Sequence, residues 1–270
     1  MGSFDGRTAL VTGSTQGVGR AAALRLAREG ADGIVVCGRN DRRGAEVVAE
    51  LHALGARAAF VPVELGRADS CRDLVVRADA ELGHLDVLVN AAGSSLRGDI
   101  LDTDAELFDD LMAINARAPL VLMQATIRGM IERGTQGAIV NVASVASDGS
   151  VPRLLPYAAS KAALVSMSRN VAYAVAWHRI RVNVVRPGWI DTPGEDDIQR
   201  RFHDAGNGWR DAAAAAQPFG RLIDPDELAG LISYLASPSS GLMTGAVIDF
   251  DQSVMGAGAQ PIPTWEETPR

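Results

Sequence analysis

Apolar and polar positions follow one another along this chain in a long, regular rhythm. Short apolar runs are followed by longer stretches in which apolar residues recur every three or four positions. Thr8-Ala9-Leu10-Val11-Thr12 is too short for a helix, is closed by Gly13 and reads as a buried strand. Residues 17–29 then place Val18, Ala22 and Leu26 on one helical face, with Arg20, Arg25, Arg28 and Glu29 elsewhere, until Gly30. Residues 33–38 read as a second strand, and Asp41 as the N-cap of a helix carrying Val47, Val48 and Leu51. Residues 58–63 read as a third strand, with Pro62 marking a sheet edge. The rhythm continues with a helix over 69–82, a strand over 85–90 and a helix over 104–133, kinked before Pro119. A strand over 138–143, a helix over 155–177 and a strand over 180–185 come next. A helix over 224–236, with Asp224 as cap and Pro225 at its first position, precedes a last strand over 246–250.

Such alternation predicts an α/β fold: a parallel sheet of seven strands with helices on both faces, in one domain spanning 1–270. Two stretches break the pattern. Residues 189–220 are long, mixed and partly helical, and lie beyond a strand end, where a substrate lid is expected. Residues 256–270 are rich in Gly and Pro and read as an irregular tail.

Composition narrows the function. Of 270 residues, 47% are hydrophobic and 22% charged, so a large core is within reach. A net charge of −7 argues against nucleic-acid or anionic-membrane partners, which need a basic face. Cys37 and Cys71 have neither disulfide-framework nor zinc-site spacing, and no metal site is expected. The start of the chain has no charged-then-apolar signal pattern and no run nears a membrane span, so a soluble cytoplasmic protein is expected.

The chemistry gathers at the carboxyl ends of the strands. Gly13-Ser14-Thr15-Gln16-Gly17-Val18-Gly19 joins the first strand to the first helix, where glycines let backbone approach a pyrophosphate at a helix N-terminus. Arg39 lies 20 residues after Gly19, just past the second strand. A carboxylate there would bind a ribose hydroxyl, whereas Arg39, with Arg42 and Arg43, favours the 2′-phosphate of NADP over NAD. Asn90-Ala91-Ala92-Gly93 ends the fourth strand with small residues that leave room for a ligand, and Pro187-Gly188 follows the sixth. Tyr157 and Lys161, four apart, share one helical face, and an ammonium beside a phenol favours phenolate. That makes the pair an acid/base unit. Ser144 ends the fifth strand, 13 residues earlier, and can hydrogen-bond a substrate oxygen. The four histidines read as surface or structural residues, and Glu195-Asp196-Asp197 as the acidic opening of a lid helix. Trp189 and Trp209 are placed near substrate, and Arg97 and Arg153 in solvent.

Jointly, Thr12–Gly19, Asn90–Gly93, Asn115, Ser144, Tyr157, Lys161 and Pro187-Gly188 resemble the short-chain dehydrogenase/reductase family over roughly residues 5–252. The resemblance implies a Rossmann-type sheet in strand order 3-2-1-4-5-6-7 and hydride transfer between nicotinamide and a carbonyl or secondary alcohol. It implies Tyr157 as acid/base, Lys161 on the nicotinamide ribose and lowering the Tyr157 pKa, and Ser144 positioning the substrate. It further implies Asn115 holding a relay water and Ile190 and Thr192 beside the cofactor. A small alcohol or ketone substrate and a homodimer or homotetramer built on helices 104–133 and 155–177 follow from it, and the polar, Trp-bearing surround adds a sugar or polyol as the candidate substrate. Two positions depart from the family pattern. Glu64-Leu65 stands where an Asp near the adenine is common, and Ala91 replaces an Asn. A non-catalytic dinucleotide sensor is the other functional class; the complete Ser144, Tyr157 and Lys161 set argues against it.

Overall fold

Seven parallel strands form one sheet in the order β3-β2-β1-β4-β5-β6-β7. The structure is a computed structural model and describes residues 2–149, 151–203, 206 and 208–253. The expected irregular tail at 256–270 lies outside the described residues.

The strands are β1 (Thr8–Thr12), β2 (Gly33–Gly38), β3 (Arg57–Pro62), β4 (Val87–Asn90), β5 (Ala138–Val142), β6 (Arg181–Pro187) and β7 (Val247–Phe250). Pro62 sits on the edge strand, where its missing N–H costs no ladder bond. Strand side chains alternate between two cores. Ala9, Val11, Ile34, Val36, Val87 and Val89 face one layer, built by α1 (Gly17–Arg28), α2 (Asp41–Ala53) and α9 (Pro225–Ala236). Leu10, Val35, Leu88 and Ile139 face the other, built by α3 (Ala68–Leu82), α5 (Ala118–Arg133) and α6 (Leu155–Val175). Cys37 and Cys71 are free and lie in this second layer, where burial pushes their thiols up to about 12 and about 11.

Two local expectations are corrected. Asn40, not Asp41, caps α2: its side chain accepts from the Arg43 N–H at 2.9 Å, and Asp41 becomes the first helical residue, where its charge suits the dipole. The expected single helix over 104–133 is two, α4 (Ala105–Met112) and α5, joined by a π-helical turn at Ala113–Arg117. The break falls before Pro119, as expected, but takes the form of a π turn in which one extra residue is accommodated. The cap of α9 is as expected, with Asp224 and Glu227 forming a reciprocal capping box.

Beyond β6, α7 (Pro193–Phe202) and α8 (Trp209–Ala215) make up most of the mixed segment. Trp209 and Ala213 of α8 form a small core with Leu222, with Trp189 stacked on Trp209 at 6.1 Å between ring centroids, and the Trp209 N–H donates to Asp196 of α7 at 2.7 Å.

Candidate active site

Thr12 and Asn90 lie side by side at the ends of β1 and β4. The Thr12 hydroxyl accepts from the N–H groups of Ala91 and Ala92, each at 3.1 Å, and so fixes one glycine-bearing turn against the other. The approach is close enough to require glycine. A Cβ on Gly13 would lie 2.7 Å from the Ala92 Cα, and φ there is +63°. A Cβ on Gly19 would lie 2.5 Å from the Gly13 carbonyl oxygen. Gln16 caps α1 without a side-chain hydrogen bond, and the first turn carries no acid. Its N–H groups and the positive end of the helix dipole are therefore suited to a diphosphate, and the site fits a dinucleotide.

The flanking residues divide by what already holds them. Ser14 donates to the Val11 carbonyl at 2.6 Å and accepts from the Cys37 N–H at 2.9 Å. Its own N–H bonds the Cys37 carbonyl, so Ser14 ties β1 to β2 and keeps no donor for a ligand. Thr15 lies under Gly38, where a Cβ would come within 2.8 Å of it. Val18 packs on the first core. Arg39 is exposed, Arg42 pairs with Glu46 along its own helix, and Arg43 donates to the Gln16 side chain. Arg43 is thus the arginine tied to the glycine turn. Glu64 is exposed at the end of β3, and the Leu65 carbonyl takes the Cys71 thiol. The Asn90 amide is turned inward to Asn141 at 2.8 Å, and Asn141 donates to Ser168, which stitches β4, β5 and α6 together.

Pro187 and Gly188 lead out of β6, and Ile190 pairs with Ile223 in an isolated bridge. Thr192 caps α7, accepting from the Glu195 N–H at 3.1 Å. A Cβ on Gly17 would meet Thr192 Cγ2 at 3.3 Å, so the start of α7 stands over the glycine turn.

Tyr157, Ser144 and Lys161 converge at the end of β4, where a Cβ on Gly93 would lie 3.3 Å from Lys161 Nζ. Tyr157 is partly exposed, and its phenol shares a hydrogen bond with Ser144. Burial pushes the phenol above its usual value, offset by the Ser144 hydrogen bond and then by the Arg97 charge. A net depression by Lys161 is therefore not what the protein alone produces. The ammonium stands 5.9 Å from the centre of the phenol ring and donates to the Val142 carbonyl at 2.8 Å. Lys161 is 4% exposed, and burial lowers it from 10.5 to about 8.

That value has a stability consequence. Below pH 8 the folded protein carries the whole cost of a buried ammonium; above 10.5 it carries none. Wild-type stability should therefore rise with pH between those limits. Lys161→Met removes a cost of about 3 kcal/mol at pH 7, less about 1 kcal/mol for the unpaired Val142 carbonyl. Urea melts should show the variant more stable by about 2 kcal/mol at pH 7, with the advantage shrinking by pH 10.

Asn115 is wholly buried at the centre of the π turn. It accepts from the Ser94 N–H and donates to the Ser94 carbonyl, both at 2.8 Å, and donates to Ser160 at 3.0 Å. Both amide hydrogens are used, so any water it holds must donate to an oxygen, Oδ1 or the main-chain carbonyl.

Arg97 is the residue the sequence misplaced. Rather than lying in solvent, its side chain is 10% exposed and stands 3.6 Å from Glu195 of α7, itself 16% exposed. His203 accepts from Arg97 at 3.4 Å, so one of the histidines set aside faces this pair. Glu195 and Asp196 do lie in the first turn of a helix, α7, as their acidity predicted. Trp189 donates to Glu195 at 3.0 Å, while Trp209 is buried against Ala213 and Leu222.

Comparison with known proteins agrees with this arrangement. A family model described as enoyl-(acyl carrier protein) reductase matches residues 13–253. The chain is 34% identical to 2-dehydro-3-deoxy-D-gluconate 5-dehydrogenase of Escherichia coli, over 92% of this chain and 95% of that one. It is 33% identical to L-rhamnose 1-dehydrogenase (NAD(P)(+)) of a Sphingomonas species, over 93% and 97%. A variant of actinorhodin polyketide ketoreductase, solved with NADPH, superposes with a TM-score of 0.85 at 30% identity, over 91% and 96%. With its sheet order, its paired glycine turns and these relatives, the chain belongs to the short-chain dehydrogenase/reductase family of NAD(P)-dependent oxidoreductases.

Proposed function

We propose that the protein transfers a hydride between a nicotinamide dinucleotide and the carbonyl or secondary alcohol of a small sugar- or polyol-like substrate, with Tyr157 as acid/base. The observation that carries this is the meeting of Tyr157, Ser144 and the buried Lys161, with Lys161 beside Gly93 at the end of β4. The two relatives named for a gluconate derivative and for rhamnose support the substrate class.

The bound nicotinamide gives or takes the hydride; the rest is done by this chain. Gly13, Gln16, Gly17 and Gly19 would hold the diphosphate, with Ala91 and Gly93 across the crevice and Thr192 above. Ser144 orients the substrate oxygen. The Tyr157 phenol donates its proton to that oxygen in reduction and receives it back in oxidation. Lys161 keeps a cation behind the phenol, on the ribose side. Residues 189–220 act as the lid.

NADP is the favoured cofactor. Arg39 is exposed past β2, and Arg43 leans on Gln16 beside the same turn. Arg39→Asp should reverse the preference, weakening NADP relative to NAD by about tenfold or more. Fluorescence titration with both nucleotides checks this; an unchanged ratio removes the cofactor argument. A homo-oligomer, dimer or tetramer, is supported by Phe108, Leu120 and Tyr173, which leave apolar surface exposed on α4, α5 and α6. Oxidation of NADPH with a panel of hydroxyketones and simple ketones tests the function itself. Silence across the panel, with nucleotide still bound, would overturn it.

A further inference from the structure

We propose that Arg97 and Glu195 form a two-sided hydroxyl clamp that selects a neutral polyhydroxylated substrate over an anionic or an unhydroxylated one. The inference rests on the oxidoreductase reading above and names what that site recognises.

Both partners are held in place from opposite sides of the site. Arg97 precedes Gly98, whose N–H bonds the Arg153 carbonyl at 3.0 Å and whose carbonyl accepts from Leu155 at 3.2 Å. Leu155 opens α6, two residues before Tyr157, so Arg97 is anchored to the helix that carries the phenol. Glu195 lies in the first turn of α7, whose cap, Thr192, stands against Gly17. The two charges act on the Tyr157 phenol in opposite senses, Arg97 lowering its pKa and Glu195 raising it.

Each partner keeps one group open. Arg97 donates through Nη1 to the Ser95 carbonyl at 2.9 Å and through Nε to His203. Nη2 makes no hydrogen bond among the described residues, because its nearest partner, Glu195 Oε1, is 3.6 Å away, beyond hydrogen-bond range. Oε1 is already taken by Trp189 at 3.0 Å and Gln199 at 2.7 Å. Oε2 makes no hydrogen bond among the described residues. A donor and an acceptor thus stand ready side by side, with Trp189 next to them.

Charge decides which ligand suits them. A carboxylate would gain from Arg97 and lose to Glu195, and an ammonium the reverse. A hydroxyl can accept from Nη2 and donate to Oε2 at once, so it satisfies both groups in a site where neither is well solvated. An unhydroxylated ketone would leave both unsatisfied, which polar sites penalise strongly.

NADPH-dependent reduction of fructose, ketogluconate and cyclohexanone tests the clamp in wild type, Glu195→Gln and Arg97→Met, each first checked for NADPH binding. Wild type should favour fructose, by kcat/KM, over either competitor by about tenfold or more. Glu195→Gln should shift the ketogluconate-to-fructose ratio towards the acid by about tenfold, chiefly through KM. Arg97→Met should lower fructose turnover about tenfold more than cyclohexanone turnover. Equal losses on all three ketones would mean that the pair merely latches the lid, and would overturn the proposal. So would cyclohexanone being reduced while fructose is not, although the oxidoreductase reading would then stand. Silence with all three ketones in NADPH-bound enzyme would overturn both.

Discussion

Tyr157→Phe should fold, bind NADP as wild type does and lose about a thousandfold in kcat with its substrate. The ring still fills its place on α6, and Ser144 loses only one partner. What disappears is the one group at this position able to exchange a proton with the substrate oxygen. The pH dependence gives the sign. Burial raises the phenol above its usual value, so the neutral, proton-donating form dominates at neutral pH. Reduction should therefore run well at neutral pH, and oxidation, which needs phenolate, should quicken as pH rises. Lys161, at about 8, loses its charge within the same range and should add a second inflection near that pH. Steady-state kinetics in both directions, alongside nucleotide titration, measure all of this. Wild-type rates in Tyr157→Phe would end the assignment.

Gly13→Ala should damage the glycine turn far more than a methyl at Gly17. It places a side chain at φ +63° and drives Cβ to 2.7 Å from the Ala92 backbone, which the Thr12 hydroxyl holds in place. The left-handed conformation alone costs about 1 kcal/mol, and displacing backbone adds a comparable or larger amount, so a loss of about 3 kcal/mol is expected. Nucleotide affinity should fall about tenfold or more, because the two turns that face the crevice are forced apart. Gly17→Ala is the control. Its φ is +53°, but its methyl meets only the tip of Thr192, at 3.3 Å. Denaturant melts should rank Gly13→Ala well below Gly17→Ala in stability. Equal losses would show that dihedral strain, not the approach of Ala92, is what the glycine relieves.

Much of this molecule is legible in its amino acids because parallel strands are buried on both faces and read as compact apolar runs. Leu10 and Val11 belong to different cores, yet both are needed, so β1 stands out from its flanks. The glycine turn was legible in part for a local reason: Gly19 is required by the Gly13 and Thr12 backbone a few residues away, whereas the approach of Ala92 that requires Gly13 comes from the end of β4. Where long-range packing decides, local reasoning fell short. Nothing around Ser14 shows that the N–H of Cys37, 23 positions on, donates to its hydroxyl. Arg97 resembles any loop arginine until Glu195 arrives from α7, nearly a hundred residues later. Asp41 lost the cap to Asn40 because either side chain suits that position and only backbone geometry chooses between them.

The π turn between α4 and α5 constrains length as well as identity. Each residue of a regular helix rotates the chain by about 100°. Removing one from Ala113–Arg117 would restore ordinary winding and at the same time swing α4 around its axis relative to α5. Leu111, now fully enclosed, would leave its seat, and the Asn115 amide would no longer meet Ser94 and Ser160. This stretch can therefore exchange side chains more readily than it can change its residue count.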